Sequence, residues 1–135
     1  MNILNDKTMR LINKALNTAV YRNEAISNNI ANVNTRNYKA NRVVFEEELR
    51  NAMNGNKKKL YTTHENHIKL TDSIDKIEPK MVKDTTTSMR QDGNNVDIDM
   101  ENANLAANQL LYNSLIQQAS KKISLLRYVI SEGKR

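Results

Sequence analysis

Residues 7–33 read KTMRLINKALNTAVYRNEAISNNIANV, and the spacing of their apolar side chains decides the fold class. Apolar residues recur three or four positions apart, which is the pattern of a helix that packs along a narrow seam against another helix. We therefore predict a helix over residues 7–31. Asn23 is the one polar residue of the seam, and we expect it to be buried and to fix the register of pairing. The seam consists of Met9, Ile12, Leu16, Ala19, Asn23, Ile26, Ile30 and Val33.

The segment after this helix is rich in asparagine, so the helix should end near Asn32. Asparagine side chains compete with the helix for backbone hydrogen bonds, and asparagine tolerates left-handed backbone angles better than most residues. Residues 38–45 should then be extended or loosely ordered. A short helix is predicted over residues 46–53.

A second long helix is predicted over about residues 99–131. Acidic residues crowd its start and basic residues its end, which matches the helix macrodipole. Asp97 or Asp99 should be the N-cap, and Gly133 should end the helix. Its apolar stripe consists of Leu111, Leu115, Ala119, Ile123, Leu126 and Ile130, widened by Tyr112, Ile116 and Val129.

The middle of the chain is polar and irregular, with weak strands expected at residues 60–62 and 67–70. The fold class is therefore mainly α, with two long terminal amphipathic helices joined by a weakly structured middle in which short β-strands can form. We divide the chain into an N-terminal helix and turn (1–40), an irregular middle (41–95) and a C-terminal helix (96–135). Both ends should together form one assembly domain.

Composition excludes several classes of protein. The 135 residues contain no cysteine, so there is no disulfide or thiolate metal site. The net charge of +6 is spread along the chain, whereas nucleic-acid binders concentrate positive charge on one face or tail. No apolar stretch is long enough to span a membrane, and we expect no Sec-type signal at the N-terminus. The 21 asparagines are as consistent with nucleotide bias as with function.

Three short motifs are candidate sites of chemistry, and none is complete. His64 and His67 supply two metal ligands where three or four are needed. Residues 92–101 resemble a calcium loop, but the sixth position, which should be glycine, is Asp97 when the loop starts at Asp92 and Met100 when it starts at Asn95. The three lysines at 57–59 are expected to be solvated. We expect no catalytic, cofactor or metal site, and no enzymatic activity.

The two helices cannot bury all of their apolar surface against each other, because the C-terminal stripe is wider than the N-terminal seam. Exposed apolar stripes of this kind mark contact surfaces for partners. We therefore predict that neighbouring subunits complete the core. The predicted interface is Met9, Ile12, Leu16, Ile26, Ile30 and Val33 against Leu111, Leu115, Ile123, Leu126 and Ile130 of the same or adjacent subunits.

Residues 29–39 resemble the N-terminal signature of flagellar axial proteins of the rod and hook class, Asn-Ile-Ala-Asn-x-x-Thr-Pro-Gly-Tyr-Lys. This sequence has Arg36-Asn37 where the family has Pro-Gly. Because asparagine can adopt the left-handed conformation that glycine supplies, we expect the turn to be kept. The matching residues are Asn29, Ile30, Ala31, Asn32, Thr35, Tyr38 and Lys39.

The other end of the chain is similar to the C-terminal signature of the proximal rod members of that family. The residues that carry this resemblance are Gly93, Asn94, Val96, Asp97, Asp99, Asn108 and Tyr112.

The resemblance implies a structural subunit of the proximal rod of the bacterial flagellar basal body, polymerising through its terminal helices into a drive shaft. It also implies export beyond the cytoplasm by the flagellar type III apparatus, without a Sec signal. The implied partners are other rod subunits, further copies of the chain, and MS-ring and export-gate components, with no nucleic acid and no cofactor. The alternative is a cytoplasmic coiled-coil adaptor or small basic nucleic-acid-binding protein, which leaves both end signatures unexplained.

Overall fold

A computed structural model describes residues 7–53, 77–86 and 90–133 of the chain. The elements are α1 (Lys7–Ala31), β1 (Asn41–Val44), α2 (Glu46–Met53), β2 (Lys80–Lys83) and α3 (Ile98–Glu132). The predicted helices agree with α1 and α2 and lie within one residue of both ends of α3. The mainly helical fold class is confirmed. The strands predicted at 60–62 and 67–70 lie outside the described residues.

Helices α1 and α3 run antiparallel. The Asn108 side-chain amide donates to the Ala19 carbonyl at 2.8 Å, whereas the Asn29 amide, later in α1, lies 3.2 Å from the carboxylate of Glu101, earlier in α3. The 35 residues of α3 span about 52 Å and the 25 of α1 about 37 Å. Continuing this register places Lys7, where α1 begins, level with about residue 120 of α3.

The buried face of α1 differs from the predicted seam. Asn23 is exposed, so the prediction that it is buried and sets the register is wrong. A straight helix has 3.6 residues per turn and drifts away from a 3.5-residue seam. Thr18 lies on the buried face because its hydroxyl donates to the Lys14 carbonyl of its own helix at 2.8 Å. The buried residues of α1 are Ile12, Thr18, Ala19, Ala25, Ile26 and Asn29.

Strands β1 and β2 form a two-stranded antiparallel sheet, with Asn41 opposite Lys83 and Val44 opposite Lys80. The sequence analysis did not predict β2. All four of its residues are exposed, so it lacks the apolar alternation that marks a strand. Two buried side chains, Phe45 after β1 and Ile77 before β2, add to the core.

The turn after α1 is held in a left-handed conformation by Asn37, whose φ is +59°. Asn37 therefore has the left-handed conformation that glycine also adopts readily. The Asn37 amide donates to the Asp92 carbonyl at 2.9 Å, so the turn meets the segment that leads into α3. Gly93, at φ +79°, packs against Asn37 there.

The side chain of Asn94 binds this turn to the start of the C-terminal segment. Asn94 is fully buried, and its amide donates to the carbonyls of Asn32, Val33 and Thr35 at 2.9–3.0 Å. Its Oδ1 accepts the Val96 amide at 2.8 Å. Carbonyls beyond the end of a helix lack helical partners. The two N–H groups of the Asn94 side chain are shared among these three carbonyls, two of which also accept a backbone amide of the turn.

Asn95 makes a second link, which joins both strands to the C-terminal segment. Its Oδ1 accepts the Ala40 amide at 2.7 Å just before β1, and its side-chain amide donates to the Asp84 carbonyl at 2.8 Å just after β2. The sheet is thereby attached at the same edge to residues 94–97.

Asn29 forms the third link, inside the helix pair. It is 1% exposed, and its Oδ1 accepts the Asn41 amide at 2.7 Å and the Tyr38 hydroxyl at 3.3 Å. Its side-chain amide donates to the Asn41 carbonyl and the Glu101 carboxylate. All of its hydrogen-bonding groups are therefore used within the fold. With Asn94, Asn95 and Asn108, this makes four buried asparagines with structural roles that composition alone did not reveal.

The N-terminus of α3 is capped as predicted. The Asp97 carboxylate accepts the amides of Asp99 at 2.9 Å and Met100 at 3.2 Å. Gly133 follows the last residue of the helix, and its amide donates to the Val129 carbonyl at 3.0 Å. Its φ of −74° is an ordinary value that any residue can adopt.

Replacing Gly93 by alanine should lower the free energy of unfolding by about 1–2 kcal/mol, the cost of a left-handed L-residue. The new Cβ would also lie 2.5 Å from Oδ1 of Asn37. Urea denaturation followed by circular dichroism measures the effect. Gly133→Ala is the control, because φ is −74° there and the new Cβ would lie 3.1 Å from the Val129 carbonyl oxygen, so this variant should lose less stability than Gly93→Ala. Equal losses in both variants would contradict the role given to the left-handed turn.

Replacing Asn29 by alanine should lower the free energy of unfolding by at least about 2 kcal/mol, because each buried polar group left without a partner costs about 1–3 kcal/mol. The groups affected are the Asn41 amide and the Glu101 carboxylate. Asn28→Ala, at the exposed neighbouring position, should change stability by less than about 0.5 kcal/mol. Urea denaturation followed by circular dichroism measures both changes. An Asn29→Ala protein as stable as the wild type would refute the structural role of this amide.

Candidate assembly interface

Helix α3 exposes large apolar side chains on the surface that α1 leaves uncovered. Leu110 is 72% exposed, Leu125 56% and Val129 65%. A helix that is apolar on more than one face is normally covered on more than one face. The other exposed large apolar residues of α3 are Ile98, Met100, Leu111, Ile116, Ile123, Tyr128 and Ile130.

The last 12 residues of α3 extend past the first residue of α1. We name residues 121–132 the α3 overhang. In the antiparallel register, this segment has no counterpart among the described residues of α1. Its apolar residues are Ile123, Leu125, Leu126, Tyr128, Val129 and Ile130, and its charged residues are Lys121, Lys122, Arg127 and Glu132.

The predicted interface residues divide into two groups. Those of α1 and the following turn pack within the subunit: Ile12 and Ile26 are buried, and Met9, Leu16, Ile30 and Val33 are half-buried. In α3, Leu115 and Leu126 are half-buried, whereas Leu111, Ile123 and Ile130 are exposed. The surface available to a partner is therefore mainly that of α3.

The sequence analysis missed Leu110, Leu125 and Tyr128, which lie outside the predicted stripe and are exposed. The sequence does indicate them, because apolar residues occur on all sides of α3. A single stripe with a period of three to four residues includes only some of these residues.

Residues of the two family signatures meet in space. Tyr38 of the first signature donates to Asn29, and Asn29 donates to Glu101 of α3. Asn94 of the second signature donates to a carbonyl in the turn of the first. The Thr35 hydroxyl donates to Asn32 Oδ1 at 3.2 Å, and Val96 is buried beside Asn94. Of the remaining signature residues, Lys39, Gly93, Asp97 and Tyr112 are half-buried, and Ala31 and Asp99 are exposed.

A groove of about 360 Å³ lies between α1, β1 and α3, and we name it the Asn108 groove. Two arginines on its wall are each ion-paired, Arg22 with Glu46 and Arg42 with Asp84. Its other lining residues are Ala25, Ile26, Asn41, Val43, Glu101, Asn104, Ala107, Asn108 and Leu111.

Two buried acceptors lie in the wall of this groove. The Oδ1 atom of Asn108 has no hydrogen-bond donor within the described part of the chain. The Glu101 carboxylate is buried, and Asn29 donates to it. Burial and, secondarily, the charge of Glu101 raise the pKa of the Tyr38 hydroxyl, so Tyr38 stays protonated and can donate to Asn29.

The described residues contain no group of three or more histidine, cysteine, aspartate or glutamate side chains placed to hold a metal ion. His64, His67 and the lysines at 57–59 lie outside them. Among the helices that the structure describes, none is long and apolar enough to cross a membrane.

Comparison with known proteins identifies the family. No family model matches the chain. The flagellar basal body rod protein FlgB of Bacillus subtilis is 34% identical over 127 residues, which cover 94% of this chain and 95% of that protein. FlgB of Borrelia hermsii is 36% identical over 83% of this chain and 86% of its own length. FlgB of Proteus mirabilis is 26% identical over 95% of the chain. With this identity along nearly the whole length, the chain belongs to the FlgB family of flagellar basal body rod proteins.

Proposed function

We propose that this chain is a structural subunit of the proximal part of the flagellar basal-body rod. Its relatives are named as rod proteins of the basal body. The observation that carries the proposal is the exposed apolar surface of α3, which one copy of α1 is too short and too narrow to cover. In this proposal, copies of the chain and other rod subunits cover that surface and together form the drive shaft.

The energetics support assembly through α3. Complete burial of one leucine, valine or isoleucine side chain contributes about 1.5–3 kcal/mol. Several such side chains on α3 are at least half exposed. Covering them in an assembled rod offsets the cost of ordering each subunit. Contacts between different surfaces of identical subunits build an open helical row when the rotation between neighbours does not close a ring, as a rod requires.

Export of the subunit through the flagellar type III apparatus is part of the proposal. A chain without cysteine carries no disulfide that would prevent unfolding. The buried apolar residues in the described ranges are mostly small or aliphatic, and Phe45 is the one aromatic residue among them. Contacts with the export gate and the MS ring follow from the same route, because the subunit emerges where the rod begins.

The hydrogen bonds from Asn29 to Glu101 and from Asn108 to Ala19 support treating both ends of the chain as one assembly unit. Residues 1–40 and 96–135 form that unit in our proposal, with 41–95 as the irregular middle. The alternative of a cytoplasmic adaptor or nucleic-acid-binding protein is not favoured, because three relatives that match 79–94% of the chain are each named as rod proteins.

Leu125→Asp should prevent incorporation into basal bodies and abolish swimming. A carboxylate in an apolar contact costs well over the 1.4 kcal/mol that corresponds to about a tenfold loss of association. Ser124→Asp is the matched control, because it adds the same charge at the adjacent exposed position. That strain should remain motile.

Basal bodies purified from each strain and probed for the chain provide the measurement. The wild-type chain should be present in them and absent when flagellar export is blocked. Absence of the wild-type chain from basal bodies would refute the rod assignment. A motile Leu125→Asp strain with normal incorporation would refute assembly through α3.

A further inference from the structure

The α3 overhang and the Asn108 groove lie at different positions along the same helix. Ala107, on the groove wall, and Val129, in the overhang, are 22 residues apart. In a continuous helix that separation is about 33 Å. One chain therefore cannot place its own overhang in its own groove while α3 stays helical, so any such contact joins two copies.

The shape of the groove suits the side chains of the overhang. Its lining includes the small residues Ala25 and Ala107 beside Ile26, Val43 and Leu111, which leaves space for an apolar side chain. In the overhang, Tyr128 and Val129 are exposed. Knob side chains that enter holes between small and aliphatic residues are the usual way in which helices pack.

The charges of the two surfaces are opposite. Three basic residues and one acidic residue give the overhang a net charge of +2. In the groove wall, both arginines are ion-paired, and no described residue forms an ion pair with the buried Glu101 carboxylate. Arg127 forms no ion pair with any described residue.

The groove also contains an unmet hydrogen-bond requirement. Oδ1 of Asn108 is buried without a donor from the described residues, which carries an energetic cost. The overhang is rich in donors, since the Arg127 guanidinium alone carries five N–H groups. A donor from the overhang that reaches this wall would remove the cost.

We propose that the α3 overhang of one copy packs into the Asn108 groove of the next copy. Val129 and Tyr128 enter the groove, and Arg127 of the overhang faces the carboxylate of Glu101. The contact is head-to-tail and leaves one free overhang and one free groove at the ends of any row of copies. This inference rests on the proposed function as a rod subunit, and it specifies which surfaces of two copies meet.

Disulfide cross-linking tests this contact, because the chain has no cysteine of its own. The variant Ala107→Cys/Val129→Cys replaces the native chain in cells, and its basal bodies are purified, mildly oxidised and run on non-reducing gels. A disulfide needs Cα atoms within about 7 Å, so the pair cannot close within one helix. We expect dimers and a ladder of larger linked species that disappear on reduction.

Ala106→Cys/Val129→Cys is the matched control. Ala106 is also an exposed alanine of α3, but it does not line the groove. This variant should give no linked species above the level of Val129→Cys alone. Equal cross-linking of the two double variants would overturn the proposal.

A second pair of variants gives a result that does not depend on a disulfide. Ala107→Trp fills the groove and should reduce the amount of chain in basal bodies at least tenfold, whereas Ala106→Trp should be incorporated normally. Equal incorporation of the two tryptophan variants would overturn the proposal.

The two proposals fail in different ways. If the Ala107→Cys/Val129→Cys chain is present in basal bodies but does not cross-link, the head-to-tail contact is wrong and the rod assignment stands. If the wild-type chain is missing from basal bodies, the rod assignment itself is wrong.

Discussion

The carboxamide of Asn94 joins the two ends of the chain, and the arrangement of both long helices depends on it. It is fully buried and donates to three carbonyls of the turn after α1, about 60 residues away in sequence. That turn is left-handed at Asn37, whose amide donates to the Asp92 carbonyl and so brings the turn against the segment that contains Asn94. Asn95 and Asn29 attach the sheet and α3 to the same junction.

A junction made of hydrogen bonds is suited to setting geometry. Each amide accepts and donates in fixed directions, so a shift of α3 along α1 would leave several buried groups without partners. The register of the helix pair is therefore set at the end where Asn29 faces Glu101. Towards the other end, the helices pack through apolar side chains, which is a less directional interaction. There α3 extends past the first residue of α1. The same molecule thus combines one fixed end with one end that remains open to other subunits.

This division agrees with membership of a family of rod proteins. A subunit that adds to a growing rod needs a defined shape before assembly and apolar surface that becomes buried on assembly. The α3 overhang and the Asn108 groove provide these surfaces at separate positions along α3, and two different surfaces on one subunit allow open-ended growth. The buried carboxylate of Glu101 belongs to both the junction and the groove, so the hydrogen-bonded junction forms part of the wall that receives the next subunit.

The limits of the helices could be predicted from the sequence because capping and turn preferences act over a few residues. Asp97 caps α3, and Asn37 takes the place of glycine, as their local sequences indicate. The strand β2 was not predictable in this way, since it is defined by its pairing with β1, some 40 residues earlier.

The burial of individual residues was decided only by tertiary structure. Asn23 was expected inside and is exposed, while Asn29 and Asn108 are buried because acceptors and donors up to 89 residues distant lie beside them. Tertiary structure also decided which apolar residues form the assembly surface. Sequence by itself determined two long amphipathic helices with two end signatures, because periodicity and capping are local properties. The antiparallel register alone decided which part of α3 is left uncovered, since that depends on where the two helices meet.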